Sequence, residues 1–347
     1  MKDIFTKFST VLLILGTLFG ARALAQSPLD WKTAQKFDNG VETTVAVTPS
    51  GLVVEFHKTQ NKYSNDIHYR IGKVGQAYGG QYLVSWGASQ PLGKDGSRPS
   101  VAITKEGYVV LVYTKGAYTG YGNQVQMRYW VGQLDPTGDT KQAITWRVKD
   151  AFYDTGQHAS LSFNTNDLLV DTHESANNSK LFYRIGHLLN PSQGQFDLVW
   201  DSGTGGIEHD KGIHPSIAIN QSNQIIEVHQ TEKSATYLHY RRGTLGTDRI
   251  VWASTDSVRY ENDSKQPAVA LTNQGLAVEA AIKNRYTFSR TGILNVGDPT
   301  RVDWSNSIQI DWGTYAGMSP SITTNGVVAI ATWESDDWLF YNIAAIK

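Results

Sequence analysis

Three acid-x-His motifs are the residues of this sequence whose types and spacing most readily suggest chemistry. They are Glu55-x-His57, Asp171-x-His173 and Glu227-x-His229. Each pair lies on one face of a predicted strand, because alternate residues of a strand point to the same side. Paired carboxylates cleave glycosidic bonds in glycosidases, and histidine with a carboxylate can hold a metal ion. The motifs therefore raise two hypotheses, a glycosidase site and a metal site.

An arginine accompanies the acid wherever the acid occurs. A fourth acid, Glu279, has Ala281 in place of the histidine. The next predicted strand of the same four units carries an arginine: Arg70, Arg184, Arg241 and Arg290. Two other units lose acid and arginine together, and hold Leu111 with Trp130 and Ala331 with Asn342. This joint presence and absence predicts a structural contact, since a buried acid without a partner is destabilising. We expect the histidines to be hydrogen-bonded within their own unit, and we predict no metal and no cofactor.

Six polar residues at one recurring position form a second candidate set. The position lies two residues after a glycine, which Ser264 replaces in one unit, and its residue type changes from copy to copy. We call these six the mouth positions: Glu42, Arg98, His158, His214, Gln266 and Ser319. The second unit also contains a Gly/Tyr loop, residues 115–122, whose Tyr118 and Tyr121 can stack on a sugar ring or another flat group.

A six-fold repeat must position these residues. One tryptophan recurs every 52 to 60 residues: Trp31, Trp86, Trp146, Trp200, Trp252 and Trp304. A small residue before an apolar one is a second landmark: Thr44, Ser100, Ser160, Ser216, Ala268 and Ser321. Each unit has the alternation of four short strands, and the fourth unit predicts Ser216–Ile219, Gln224–His229, Tyr237–Arg241 and Arg249–Trp252. We expect the tryptophans to belong to the core.

The repeat predicts an all-β fold, a six-bladed β-propeller with four strands per blade. The last unit, from Ser321 to Tyr341, lacks its Trp strand, and Pro28–Trp31 near the N-terminus supplies one. We therefore expect the N-terminal strand to complete the last blade and close the ring, which removes its open edge. Residues 26–347 are predicted to form a single domain. A pair of β-sandwiches is the alternative fold, but it does not explain the missing strand.

Propeller geometry gathers the mouth positions around one end of the central channel. The first strand of a blade lies nearest the axis, so the loop that enters it surrounds the channel mouth, where ligands commonly bind. The predicted ligand-binding residues are Glu42, Arg98, His158, His214, Gln266, Tyr118 and Tyr121. An ordinary solvated turn is the alternative interpretation of the mouth positions. Asp38, Asp95, Asp154 and Asp210, which precede the glycines, are interpreted as turn formers.

The N-terminus and the composition limit the function classes. Residues 1–25 have the basic, apolar and small-residue regions of a signal peptide, with cleavage expected after Ala25. The chain is therefore predicted to be secreted or periplasmic, with no transmembrane segment. Its net charge of −1 provides no electrostatic surface for nucleic acid. The absence of cysteine excludes disulfides, thiolate nucleophiles and Cys-ligated metals.

The repeat resembles one found in bacterial secreted β-propeller proteins, including insecticidal-toxin-like proteins. The clearest copy has Pro215-Ser216-Ile217-Ala218-Ile219, Ile226-Glu227-Val228-His229, Leu238-His239-Tyr240-Arg241-Arg242-Gly243 and Ile250-Val251-Trp252. The resemblance spans the repeat region, although the second, fifth and sixth units depart from the pattern. It implies a propeller that binds a host surface or a glycan, and it assigns no catalytic residue.

Two functional hypotheses follow. The first is a secreted, non-enzymatic binding propeller for carbohydrate or a glycosylated surface, lectin-like or toxin-like; a protein-interaction scaffold differs from it only in partner. The alternative is a glycoside hydrolase or lyase at the channel mouth, which needs two carboxylates about 5 to 10 Å apart. The candidates for such a pair are Glu42, Glu174, Glu208 and Asp210, and the sequence leaves open whether any two meet.

Overall fold

The computed structural model describes residues 29–59, 66–76, 81–93, 95–116, 125–135, 144–164, 167–176, 178–189, 197–201, 205–231, 236–311 and 318–347. The predicted signal peptide (residues 1–25), Pro28, Tyr118 and Tyr121 lie outside these residues. Within them the secondary structure is all β, with 29 strands and no helix. The strands form six antiparallel sheets, arranged as the blades of a six-bladed β-propeller.

The first three blades follow the predicted order from the axis outward. Blade 1 has β3 (Val41–Val47), β4 (Leu52–Lys58), β5 (Ile67–Gln76), β6 (Tyr82–Trp86) and β7 (Gln90–Gly93). Blade 2 has β8 (Gly96–Ile103), β9 (Tyr108–Lys115), β10 (Gln126–Gln133) and β11 (Thr145–Thr155). Blade 3 has β12 (Gln157–Phe163), β13 (Leu168–Glu174), β14 (Lys180–Leu188), β15 (Leu198–Trp200) and β16 (Ile207–Lys211).

The last three blades repeat this pattern. Blade 4 has β17 (Ile213–Ile219), β18 (Gln224–Gln230), β19 (Leu238–Leu245), β20 (Ile250–Trp252) and β21 (Val258–Glu261). Blade 5 has β22 (Ser264–Leu271), β23 (Leu276–Lys283), β24 (Tyr286–Leu294), β25 (Val302–Trp304) and β26 (Ile308–Gln309). Blade 6 has β27 (Met318–Thr324), β28 (Val328–Ser335) and β29 (Trp338–Ile346), with β1 (Leu29–Trp31) and β2 (Gln35–Asn39) from the N-terminus.

The outer edge of a blade is where the sequence was least informative. In five blades the fourth strand is interrupted, and both of its segments pair with the third strand. In blade 4 the four predicted strands are confirmed within a few residues, but β21 was not anticipated. Its four residues include three polar ones and lie half-buried or exposed, so they carry little alternation.

The N-terminal strand closes the ring as predicted. In β1, Leu29, Asp30 and Trp31 pair with Ile346, Ala345 and Ala344 of β29. The β2 strand continues along the same edge, from Gln35 opposite Tyr341 to Asn39 opposite Trp338. The first and last parts of the chain therefore share one blade.

Aromatic contacts between neighbouring blades explain the recurring tryptophan. All six pack, partly buried, against hydrophobic core clusters, as predicted. Five meet a tyrosine from the third strand of the preceding blade at 5.8–6.4 Å between ring centroids: Trp86–Tyr341, Trp146–Tyr69, Trp200–Tyr129, Trp252–Tyr183 and Trp304–Tyr240. The corresponding position in blade 5 is Ser289, so the joint between blades 5 and 6 lacks this tyrosine.

The small landmark residue also connects the blades. Its hydroxyl accepts a hydrogen bond from a backbone N–H on the first strand of the next blade, at 3.0–3.4 Å. We call these five residues the hydroxyl belt: Thr44, Ser100, Ser160, Ser216 and Ser321. Ala268 occupies the sixth position and has no hydroxyl to offer Ile322. The small side chain lets the inner strands approach closely, and the hydroxyl accepts a main-chain hydrogen bond there.

Candidate functional site

The four acid and arginine pairs lie opposite each other on neighbouring strands, as predicted. Glu55 faces Arg70, Asp171 faces Arg184, Glu227 faces Arg241, and Glu279 faces Arg290. The two units without charges keep the same register, with Leu111 opposite Trp130 and Ala331 opposite Asn342. The acids are at most 1% exposed.

Histidine is the partner of the acid in three blades, which corrects the prediction that arginine would be. His57 contacts Glu55 at 3.0 Å, His173 contacts Asp171 at 2.7 Å, and His229 contacts Glu227 at 3.0 Å, each through Nδ1. These contacts confirm that the histidines are hydrogen-bonded within their own blades. Blade 5 has Ala281 instead, and there Arg290 reaches Glu279 directly at 2.5 Å.

The arginines mainly tie each blade to the preceding one. Arg70 binds Asp38 at 2.5 Å, Arg184 binds Asp154 at 3.3 Å, and Arg241 lies 3.8 Å from Asp210. The other oxygen of each aspartate accepts the next backbone N–H, at 2.7–2.8 Å. These aspartates lie within strands, two residues before the glycine that leads into the next blade, so they are ion-pair partners and backbone acceptors rather than the turn formers that were predicted. The acid motifs thus belong to the scaffold.

The mouth positions have an unusual backbone conformation. Five of them have positive φ: Glu42 (57°), Arg98 (52°), His158 (52°), His214 (51°) and Gln266 (51°). Each sits in a register shift of the first strand, where a β-bulge interrupts pairing with the second strand. Positive φ is costly for residues with a Cβ, and such strain collects at functional sites. The five side chains are half-buried; nothing is described of the Ser319 side chain.

A chain of hydrogen bonds joins these residues around the mouth. Arg98 N–H donates to Glu42 Oε2 at 2.6 Å, and Arg98 Nη1 donates to Gln157 Oε1. Gln157 Nε2 donates to Glu174 Oε1 at 2.5 Å. The other oxygen of Glu174 accepts from His158 Nδ1 at 2.9 Å and from His214 N–H at 3.0 Å. The chain therefore connects blades 1 to 4.

Glu174 is the buried centre of this network. Its side chain is 3% exposed. Burial opposes its ionisation, but hydrogen bonds and charge from the two histidines outweigh burial and lower the pKa of Glu174 to about 2. The rings of His158 and His214 lie 4.1 Å apart between centroids. Glu174 thus holds an imidazole from blade 3 against one from blade 4.

Glu42 and Glu334 lie next to each other at the mouth. Glu42 N–H donates to Glu334 Oε2 at 2.5 Å. Burial, together with the charge of Glu42, raises the pKa of Glu334. This contact involves the backbone of Glu42 and not its carboxylate. Of the other predicted candidates, Glu208 pairs with Lys180 at 2.6 Å on the outer strand, and Asp210 is the neighbour of Arg241 described above.

Of the residues that accept hydrogen bonds from the bulged strand, sequence reasoning missed Gln230 and Glu334 and named Glu174 only as a candidate for a catalytic carboxylate pair. Glu174, Gln230 and Glu334 stand at the same place, the mouth end of the second strand. Each accepts the N–H of a mouth residue in the next blade: His214, Gln266 and Glu42. These residues could have been found from the polar residue that stands three positions after the acid position. Ile282 occupies this place in blade 5 and interrupts the pattern.

The channel below the mouth is a separate cavity of about 310 Å³. The inner strands line it, beginning one residue after the mouth positions, and it reaches the turns at the other end, including Pro49, Lys105 and Gln221. Its polar groups are largely those of the hydroxyl belt and of neighbouring Ser and Thr residues. The mouth positions therefore cap one end of the channel rather than line it.

The described residues contain neither a cluster suited to a metal ion nor a membrane-spanning helix. In those residues no group of three or more His, Asp or Glu is arranged to hold a metal ion. No helix that could cross a membrane occurs in the same part of the chain. The predicted Tyr118 and Tyr121 stacking surface lies outside the described residues.

Comparison with known proteins identifies the fold. No family model and no curated protein sequence matches the chain. A protein of unknown function from Dyadobacter fermentans matches in structure with a TM-score of 0.56 and 10% identity, over 92% of this chain and all of that one. A Trypanosoma rangeli sialidase mutant with trans-sialidase activity has a TM-score of 0.56 and 11% identity, over 94% of this chain and 60% of that one. Penicillium chrysogenum alpha-L-arabinanase, complexed with arabinobiose, has a TM-score of 0.57 and 8% identity, over 91% of this chain and 99% of that one.

Proposed function

We propose that this chain is a secreted carbohydrate-binding propeller that recognises a glycan, free or on a cell surface, through its mouth positions, without catalysis. The observation that carries the proposal is the set of five mouth residues held at positive φ. Glycine or asparagine would adopt this conformation at lower cost, yet the chain places Glu, Arg, His, His and Gln there. Strain kept at equivalent positions with large polar side chains supports a binding role.

The chemistry of the mouth suits a ligand rich in hydroxyl groups. Arg98 and His158 offer donors and Glu42 offers an acceptor, in a network that limits their rotation, and Gln266 carries a side-chain amide at the equivalent position. Such preorganisation reduces the entropy lost when a ligand binds. Glycans are the first probes because two structurally similar proteins are a sialidase and an arabinanase bound to arabinobiose. The resemblance to secreted toxin-like repeats supports a glycosylated surface as the setting.

Binding to immobilised glycans tests this proposal. We expect weak binding to a free sugar and stronger binding to a surface with many copies, because several contacts around a ring act together. His158→Ala/His214→Ala and Tyr118→Ala/Tyr121→Ala should each reduce binding. Glu208→Gln, on the outer strand, is the matched control. If both double variants fold and bind as the wild type does, the mouth is not the site.

One observation favours a second candidate, a glycoside hydrolase. Burial and the charge of Glu42 raise the pKa of Glu334, and a raised pKa is what a carboxyl group needs to act as a general acid. Release of reducing sugar from polysaccharides by the purified protein would support hydrolysis. Glu334→Gln and Glu42→Gln should then each abolish the release, whereas Glu208→Gln should not. If the wild type releases none, the binding proposal stands alone.

A further inference from the structure

A groove of about 420 Å³ lies between blades 6 and 1, away from the mouth positions. The N-terminal segment forms one wall with Trp31, Lys32 and Gln35, and blade 1 forms the other with Gln81 and Tyr82. Tyr341 lies beneath them and is 3% exposed. We call this cavity the seam groove, because it lies where the ring closes.

An extended hairpin in blade 1 supplies the second wall. The β5–β6 ladder has five residue pairs, from Gly72–Trp86 to Gln76–Tyr82. The corresponding ladders of blades 3, 4 and 5 have three pairs each. The two extra pairs carry Tyr82 and Leu83 beyond the tryptophan layer. Position 82 lies four residues before the landmark tryptophan, where blades 4 and 5 have Asp248 and Thr300.

The floor of the groove is rigid. The Tyr341 ring meets Trp86 at 5.8 Å and Phe37 at 5.9 Å, in edge-on contacts. Its hydroxyl lies 3.5 Å from both the N and the O of Val84. Contacts from three directions fix this ring, so the groove is largely formed before any ligand arrives.

The walls combine aromatic surface with uncharged hydrogen-bonding groups. Trp31 and Tyr82 are half-buried, so part of each side chain remains exposed, while the amides of Gln35 and Gln81 are exposed. Lys32 is neutralised by Asp30 at 2.6 Å. An aromatic ring stacks on the C–H face of a pyranose, and amides both donate to and accept from its hydroxyls. The paired charge of Lys32 favours a neutral ligand over an anionic one.

We propose that the seam groove is a second binding site, for a neutral mono- or disaccharide, separate from the mouth. Its volume falls within the roughly 300–1,000 Å³ typical of small-molecule sites. The N-terminal strand has a double role here, since it closes the ring and builds one wall of the site. No mouth residue lines the seam groove, so this second site does not depend on the proposed function.

Saturation-transfer NMR with maltose, cellobiose, lactose and arabinobiose tests the proposal on the whole protein. At least one of these sugars should bind the wild type, and Tyr82→Ala should weaken that binding about tenfold through the lost stacking surface. Gln81→Ala is the second variant, because an exposed amide can be removed without disturbing the core. Asp248→Ala, at the position that matches Tyr82 in blade 4, is the control for altering an outer hairpin.

The mouth variant His158→Ala/His214→Ala separates the two sites. It should retain the disaccharide binding that depends on Tyr82, even if it no longer binds immobilised glycans. The proposal is overturned if none of the four sugars binds the wild type. It is also overturned if Gln81→Ala and Tyr82→Ala both fold and bind normally, or if the mouth variant alone abolishes disaccharide binding.

Discussion

At the scale of single residues, a buried carboxylate is stabilised in two different ways in this fold. Where a histidine stands two positions after the acid, it hydrogen-bonds to the acid, and the arginine binds the aspartate of the preceding blade instead. Where Ala281 replaces the histidine, Arg290 binds Glu279 at 2.5 Å and Glu261 at 2.6 Å, while the Tyr260 hydroxyl donates to Glu279 at 2.7 Å. Whether histidine or alanine stands two positions after the acid therefore decides whether the arginine of that blade binds the acid directly.

This difference predicts unequal costs for removing the two arginines. Arg290→Ala should lower the free energy of unfolding by about 3–5 kcal/mol, because it leaves the buried Glu279 without its cation. Arg70→Ala should cost less, about 1.5–3 kcal/mol, because Glu55 keeps its bonds to His57 and Thr43. Urea unfolding at neutral pH measures both. Equal costs, or a larger cost for Arg70→Ala, would contradict the two arrangements.

The low pKa of Glu174 predicts a pH-dependent contribution to stability. A carboxyl group whose folded-state pKa is lowered stabilises the protein above its unfolded pKa, here 4.5, and loses that effect as pH falls toward the folded value of about 2. Glu174→Gln should therefore lower the free energy of unfolding at pH 7 by about 3 kcal/mol. The difference from the wild type should shrink as pH falls from about 5 toward 2.

Urea unfolding of both proteins across this pH range provides the measurement. Using the difference between them removes the effect of acids whose pKa burial raises, such as Asp171 and Glu227. Glu208→Gln is the control, since its exposed ion pair with Lys180 should contribute at most about 1 kcal/mol. A Glu174→Gln deficit that stays constant down to pH 3 would rule out the pKa-linked origin.

At the scale of elements, the first strand of each blade carries a small residue that the sequence shows as a landmark. The role of that residue as a hydrogen-bond acceptor between blades is not visible in the sequence. Sequence periodicity reports contacts within a sheet, where the spacing is two. The N–H of Val269 and the hydroxyl of Ser216 are 3.0 Å apart but belong to different blades. Contacts of that kind depend on how sheets pack, which periodicity does not encode.

A serine at position 268 would give the hydroxyl belt its sixth hydroxyl. Ala268→Ser should raise the free energy of unfolding by about 1 kcal/mol, because the new hydroxyl can accept the N–H of Ile322 as its counterparts do. Ser216→Ala should have the opposite effect, about 1–3 kcal/mol destabilising, because the N–H of Val269 then loses its acceptor. Thermal unfolding of the two variants checks the signs. An Ala268→Ser protein that melts below the wild type would show that this joint cannot use the hydroxyl.

At the scale of the whole molecule, the joint between blades 5 and 6 differs from the other joints in two respects. Ala268 lacks the belt hydroxyl, and Ser289 replaces the tyrosine. Asn342 provides a different tie there, since its amide donates to the carbonyls of Lys32 at 2.6 Å and Ile310 at 3.1 Å. The six blades thus share one backbone pattern, but the side-chain contacts between neighbouring blades are not the same at every joint.

The sequence predicted the ring well and the site only in part. Six copies of two landmarks, together with the strand missing from the last unit, were enough for the blade count and the closure. The six mouth positions were found because five of them follow a glycine in register with the repeat, but the positive φ of Glu42, Arg98, His158, His214 and Gln266 was not predicted, because such residues rarely adopt it. Glu334 was missed because its partner Glu42 lies 292 residues away. Only the closed ring brings these two together.

Closure itself predicts what removing the N-terminal strand would do. Deleting residues 26–34 removes β1 and with it the pairing of Leu29, Asp30 and Trp31 to β29. The edge of β29 beside Ala344 and Ile346 then becomes an unpaired strand, and Trp31 no longer packs on the core between blades 5 and 6. The deletion should lower the melting temperature sharply and promote self-association through the open edge. Asp30→Ala, a change of one exposed side chain on the same strand, should leave both unchanged. Melting curves and size-exclusion chromatography measure the two effects, and a deletion variant that stays monomeric with the melting curve of the wild type would show that β1 does not secure the ring.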